Sequence, residues 1–123
     1  MKLADDVWQV IKDYIRERRG VDAPDEAREW AENNLDITPF DGGVFIAHGN
    51  EFDLFVLPER RGKWRIRQIG KEYMDKMRKA HDTIVVRIYE DNKPSLRLAH
   101  FFGFVEISRE NGLIRLENTS WVV

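Results

Sequence analysis

The chain has no cysteine among its 123 residues. Disulfides, thiolate zinc sites and a cysteine nucleophile are therefore excluded. Histidines are few: His48, His81 and His100 are scattered without local ligand spacing, so no metal site is expected. No apolar run approaches the roughly 20 residues that span a bilayer, and no membrane association is expected. The start, MKLADDVWQV, places two aspartates where a secretory peptide would be apolar, so the chain is expected to stay in the cytoplasm where it is made. Internal repeats and low-complexity segments are also lacking.

What is present suits one soluble domain spanning residues 1–123. The chain is 42% apolar and 34% charged, and 7 Phe, 4 Trp and 3 Tyr supply bulk for a core. A net charge of −2 gives no global pull toward nucleic acid. The charge is nevertheless uneven: residues 1–41 hold eleven acidic and six basic side chains, a local net of −5 against +3 for the rest. Arg60, Arg61, Lys63, Arg65, Arg67 and Lys71 form the densest cluster of one sign, with no acidic residue among them.

Periodicity predicts a first helix over 3–19, where Leu3, Val7, Val10, Ile11 and Tyr14 share one stripe and Gly20 is placed to stop it. Pro24 followed by Asp25 and Glu26 opens a second helix to about Asn34. The first strands are expected from Gly43 onward, at 43–48 and 51–57, joined by the Gly49-Asn50 turn. Ile66, Ile69, Tyr73, Met77 and Ala80 mark a long helix over about 62–80, and TIVVRIY (83–89) has the composition of a buried central strand. Asn92 caps a short helix that Gly103 stops, and Phe104 to Ser108 and Leu113 to Glu117 form a terminal hairpin around Asn111-Gly112. Strand-helix-strand alternation requires a crossover, hence an α/β fold with a mixed central sheet flanked by helices.

FVLPERRGKWRIRQIGKEYM is then a strand, a short basic loop and the start of a long helix. A helix start presents unpaired backbone N–H groups and a positive dipole end, which suits phosphate. The plainer reading is a solvated basic face, but basic side chains at that end run against the dipole and ask for a reason.

Val56 to Lys63, V-L-P-E-R-R-G-K, resembles the start of the pyrophosphate loop V-x-P-x-x-R-G-x-G-x-G/A of the GCN5-related N-acetyltransferase (GNAT) superfamily. Asn92 precedes Gly103-Phe104 by eleven residues, the spacing seen in that family. EYMDKMRKAHDTI (Glu72 to Ile84) and Trp64-Arg65 look most similar to small acetyltransferase-like proteins of tailed bacteriophages. The resemblance implies the acyl-CoA N-acyltransferase fold, with its first strand expected to be missing because nothing strand-like precedes the first helix. It implies acetyl-CoA as cofactor. The backbone of Phe55, Val56 and Leu57 would bind the pantetheine arm; Arg61, Gly62, Lys63, Trp64, Arg65 and Ile66 would hold the pyrophosphate, and Asn92 would cap the helix beside the thiol.

The chain departs from the family at three positions. Trp64 and Ile66 replace two loop glycines, where the ligand approaches the backbone closely. Ala99 stands where a tyrosine usually protonates the leaving thiolate, leaving His100 or Tyr89 as substitutes. Glu51 and Asp53 share a parity on the strand where some members keep a carboxylate that takes the amine's proton through water; alternation equally makes them a solvent face. His48 and His100 read as structural, and Phe101 to Phe104 as core. Trp8 and Trp30 could pack between helices or line an interface. Three functions follow in order: transfer of an acetyl group from acetyl-CoA to an unknown amine; a catalytically inactive binding module for a phage or host protein, in the host cytoplasm or the virion; and, last, nucleic acid on the basic cluster.

Overall fold

The computed structural model describes residues 1–61 and 65–119. The chain forms two compact units, one of residues 1–48 and 53–61, the other of residues 49–52 and 62–123.

In the first unit, α1 (Asp5–Arg19) has Asp5 and Asp6 in its first turn and Arg16, Arg18 and Arg19 in its last, each matched to the dipole end it faces. Gly20, at φ 68°, ends it by donating its N–H to the Arg16 carbonyl. α2 (Asp25–Asn34) follows Pro24 and buries none of its residues. It still ties down the start of the chain: Arg28 donates to the Leu3 carbonyl and pairs with Asp5, while the Glu32 carboxylate accepts the Leu3 N–H at 2.6 Å. Leu3, Val7, Trp8 and Ile11 form a buried cluster with Ile37 and Val44. Trp8 is thus core, whereas Trp30 remains 58% exposed.

The strand prediction needs one correction here. The structure adds β1 (Asp36–Phe40), antiparallel to β2 (Gly43–His48), in a stretch where the sequence predicts no strand. Pro39 hides it, because proline cannot donate to a ladder; β1 ends the strand order, where proline is tolerated. β3 (Glu51–Val56) contributes its first two residues to the second unit and the rest to the first.

In the second unit, β4 (Thr83–Tyr89) pairs in parallel with β3 at Glu51 opposite Val85, as the crossover requires. The Asn50 carbonyl accepts the Val85 N–H at 2.9 Å, and the Asn50 side chain donates to the Thr83 carbonyl at 3.0 Å. β4 also pairs antiparallel with β6 (Leu113–Thr119), which carries β5 (Val105–Glu110) on its other side. The hydrogen-bonded order is β1-β2-β3-β4-β6-β5, a six-stranded mixed sheet. Ile84, Val85 and Val86 are buried as expected of a central strand. α3 (Arg65–Ala80) buries Gly70, Tyr73, Met74 and Met77; its expected start at residues 62–64 lies outside the described residues. α4 (Lys93–Phe101) is capped by Asn92 and followed by Gly103 at φ 87°. Asn111 and Gly112 both take positive φ in the β5–β6 turn, as a tight hairpin demands.

A polar side chain, that of Asn118, is buried in this unit. Asn118, 6% exposed, donates to the Phe102 carbonyl at 2.8 Å and accepts from Arg78 at 3.3 Å, tying the end of α4 to β6 and α3. Asn118→Ala removes the shorter of two bonds to the Phe102 carbonyl, which Arg78 Nη2 still reaches at 3.4 Å, and takes the acceptor from Arg78 Nε. It is expected to cost about 2 kcal/mol in urea denaturation; a change within about 0.5 kcal/mol, as at ordinary surface sites, would show that water replaces the amide without loss.

Candidate functional site

In the first unit β3 ends with Phe55 and Val56, one residue short of the expected 51–57, and Leu57 follows it; all three are half-buried. Tyr14 meets the Phe55 ring edge-on at 5.6 Å, and the Leu57 N–H donates to the Gly42 carbonyl at 2.8 Å. A short 3-10 turn, Pro58–Arg60, follows. Arg60 is spent on Asp41 at 3.3 Å. Arg61 donates from Nε to the Val56 carbonyl at 3.0 Å, which seats its guanidinium at the strand end.

The second unit supplies the helix start. The first turn of α3 contains no acidic residue, and Arg65 and Arg67 are exposed. First-turn N–H groups have no carbonyl partner within a helix, so together with two arginines they suit a phosphate oxygen. Arg67 stacks its guanidinium 4.5 Å from the centre of the Phe101 ring. Ile66 is half-buried. Gly62, Lys63 and Trp64 lie outside the described residues.

Asn92 is half-buried, and its Oδ1 accepts the Ser95 N–H at 3.4 Å, which is the capping role expected of it. Ala99 is only 6% exposed, so a tyrosine there would have to displace packed neighbours. Of the substitutes, Tyr89 is half-buried and His100 exposed; His48 is exposed as well. In the aromatic run Phe104 is buried, Phe102 half-buried and Phe101 55% exposed.

Glu51 is half-buried and its carboxylate pairs with Arg87, a residue that sequence reasoning passed over. The available signal was that Arg87 is the one charge in TIVVRIY. Asp53 is exposed. Among the described residues, no group of three or more His, Cys, Asp or Glu side chains could hold a metal, and no helix is long and apolar enough to cross a membrane.

No family model matches the chain, and no curated protein matches it. Solved structures do. yncA from Salmonella typhimurium, solved with its cofactor acetyl-CoA, has a TM-score of 0.73 at 16% identity, over 96% of this chain and 91% of that one. The ribosomal-protein-alanine N-acetyltransferase of Brucella melitensis gives 0.71 at 14% identity, over 90% of each chain. A chimera of the spermidine N-acetyltransferase SpeG of Vibrio cholerae with hSSAT gives 0.64 at 17% identity, over 95% and 93%. At these identities the likeness is one of fold: the chain has the acyl-CoA N-acyltransferase fold of the GNAT superfamily.

Proposed function

We propose that the chain transfers an acetyl group from acetyl-CoA to a primary amine. The observation that carries this reading is the first turn of α3, which holds Arg65 and Arg67 and no acidic residue, against the ordinary dipole preference. An anionic ligand supplies the reason for that arrangement.

Acetyl-CoA, when bound, supplies the activated acetyl carbonyl. The backbone of Phe55, Val56 and Leu57 would hold its pantetheine arm. Arg61, Gly62, Lys63, Trp64, Arg65 and Ile66 would hold its pyrophosphate, and Asn92 would order the start of α4. Pairing with Arg87 gives Glu51 a positioning role, and Asp53 takes the amine's proton through water. With Ala99 buried, no tyrosine acid acts from that position, so catalysis leans on holding the reactants in line.

The single-domain reading of residues 1–123 belongs to this proposal, because β3 contributes residues to both units. So does the finer kinship with phage proteins, which rests on Glu72 to Ile84 and Trp64-Arg65 and would set the protein in a bacterial host cytoplasm or a virion. The second reading, an inactive binding module for a phage or host protein, draws on buried Ala99 and on Trp64 and Ile66.

Coenzyme binding tests the proposal. A ligand at one hundred times its dissociation constant stabilises the folded state by about 2.7 kcal/mol, which raises the melting temperature by several degrees. Millimolar acetyl-CoA is expected to raise it slightly in the unmodified protein and clearly more in the double variant Trp64→Gly, Ile66→Gly. Arg61→Ala on that background should reduce the gain by removing a charged phosphate contact. No shift in either the unmodified protein or a folded double variant would leave the binding-module reading in first place.

A further inference from the structure

β5 ends the strand order, pairing among the described residues with β6 alone, and all six of its residues are exposed. Val105 is 62% exposed and Ile107 56%. An open edge with apolar side chains invites another strand unless charge or irregularity opposes it. β5 has both, and their arrangement decides which strand is admitted.

The register against β6 runs Val105 opposite Glu117 and Glu106 opposite Leu116, then shifts so that Ser108 faces Arg115 and Arg109 faces Ile114. Ile107 is the extra residue of a bulge. The bulge resets the alternation. Glu106 and Arg109, three positions apart, therefore share one face of the strand with buried Leu116 and Ile114, and Val105, Ser108 and Glu110 share the other. The 2.8 Å ion pair between Glu106 and Arg109 within one strand fits that placement. Hydrogen bonding from Arg109 holds the Glu106 carboxyl below the ordinary carboxylate range, so the pair is fully charged near neutral pH.

Consider β5 against a second β5 running antiparallel about a two-fold axis. Opposed side chains must lie on the same face. Centring the pairing on Glu106 sets like charges opposite each other, and centring it on Ile107 or Ser108 opposes residues from different faces. Centring it between Ile107 and Ser108 sets Glu106 opposite Arg109 of the other copy, Arg109 opposite its Glu106, and Val105 opposite its Glu110, with each flanking pair on one face. We propose that β5 is a self-pairing edge through which two copies of this chain dimerise, with Glu106 and Arg109 fixing the register by reciprocal ion pairs. Such a two-fold contact buries the same strand on both copies and closes on itself. The inference stands apart from the acetyl-transfer reading, since it uses none of the residues assigned there.

The test is sedimentation velocity across a concentration series with the unmodified protein, Glu106→Arg, Arg109→Glu, and an equimolar mixture of the two variants. Both positions are exposed, and because Arg109 also pairs with Glu90 at 3.1 Å, thermal denaturation checks that each variant folds before it is scored. The unmodified chain is expected to show a monomer–dimer equilibrium. Each single variant replaces two attractive cross-strand pairs with two repulsive ones and should raise the dimer dissociation constant about tenfold or more. The mixture should regain dimer, because each strand then meets its opposite charges in the other variant, a recovery that an ion pair within one strand cannot produce. An unmodified chain that stays monomeric at millimolar concentration would overturn the proposal. So would single variants that dimerise as well as the unmodified chain, or a mixture no better than its components.

Discussion

Gly43→Ala is expected to destabilise the protein by about 3 kcal/mol, lowering the melting temperature by roughly 10 °C, although it adds one methyl group and the position needs no unusual φ. The reason is space. A Cβ built on Gly43 would lie 2.4 Å from the Phe55 carbonyl oxygen and 2.6 Å from the tip of the Phe40 ring. The ring can tilt, but the carbonyl belongs to the strand backbone and cannot yield without moving β3. Glycine inside a strand often marks such a close approach. Gly20→Ala is the matched comparison: φ there is 68° and nothing lies within 4 Å, so its cost is conformational, about 1 kcal/mol. Thermal denaturation of the two variants separates the causes. A Gly43 variant no less stable than the Gly20 variant would mean that β2 and β3 are farther apart than described.

That contact also shows where sequence reasoning stops. Helices α1, α2 and α4 were legible because each combines a periodic apolar stripe with a boundary residue, Gly20, Pro24, and Asn92 with Gly103, and α3 was legible from its long stripe alone. The hairpin turn at Asn111-Gly112 and the central burial of Ile84 to Val86 were legible for the same local reasons. β1 was not, since Pro39 speaks against a strand and only the position of β1 at the end of the sheet order makes it acceptable. Nor could spacing reveal that Gly70 lies under the Phe102 ring, 2.5 Å from where a Cβ would stand.

The candidate site divides similarly. Arg61, Arg65 and Asn92 could be named from their spacing in a motif, and the capping bond of Asn92 is local enough to be read the same way. The pairing of Glu51 with Arg87 could not, because it depends on the parallel register of Glu51 with Val85, thirty-four positions along the chain. That pairing changes the reading of two carboxylates alike in sequence. Glu51 pairs with a guanidinium, and Asp53, which is exposed, is assigned the proposed proton transfer.

Asp53→Asn is therefore expected to lower acceptor-dependent turnover about 10²-fold, the low end of what a positioned proton acceptor contributes. The isosteric amide removes the negative charge and the basicity while leaving β3 its shape. Acetyl-CoA should stabilise the variant as much as the unmodified protein, which separates loss of proton transfer from loss of binding. Equal turnover in the variant would place Asp53 on the solvent face of its strand and nothing more.

Acetyl transfer itself is measured most directly by the coenzyme thiol it releases. Because the chain has no cysteine, a thiol reagent in the assay reports free coenzyme A with no background from the protein. With acetyl-CoA present, a polyamine and a peptide with a free amino terminus are the acceptors to supply, as two different classes of primary amine. Thiol release that rises with the concentration of either amine, above the rate without protein, is the predicted result. Release at the protein-free rate with both amines, in a preparation whose melting temperature acetyl-CoA also fails to raise, would contradict it.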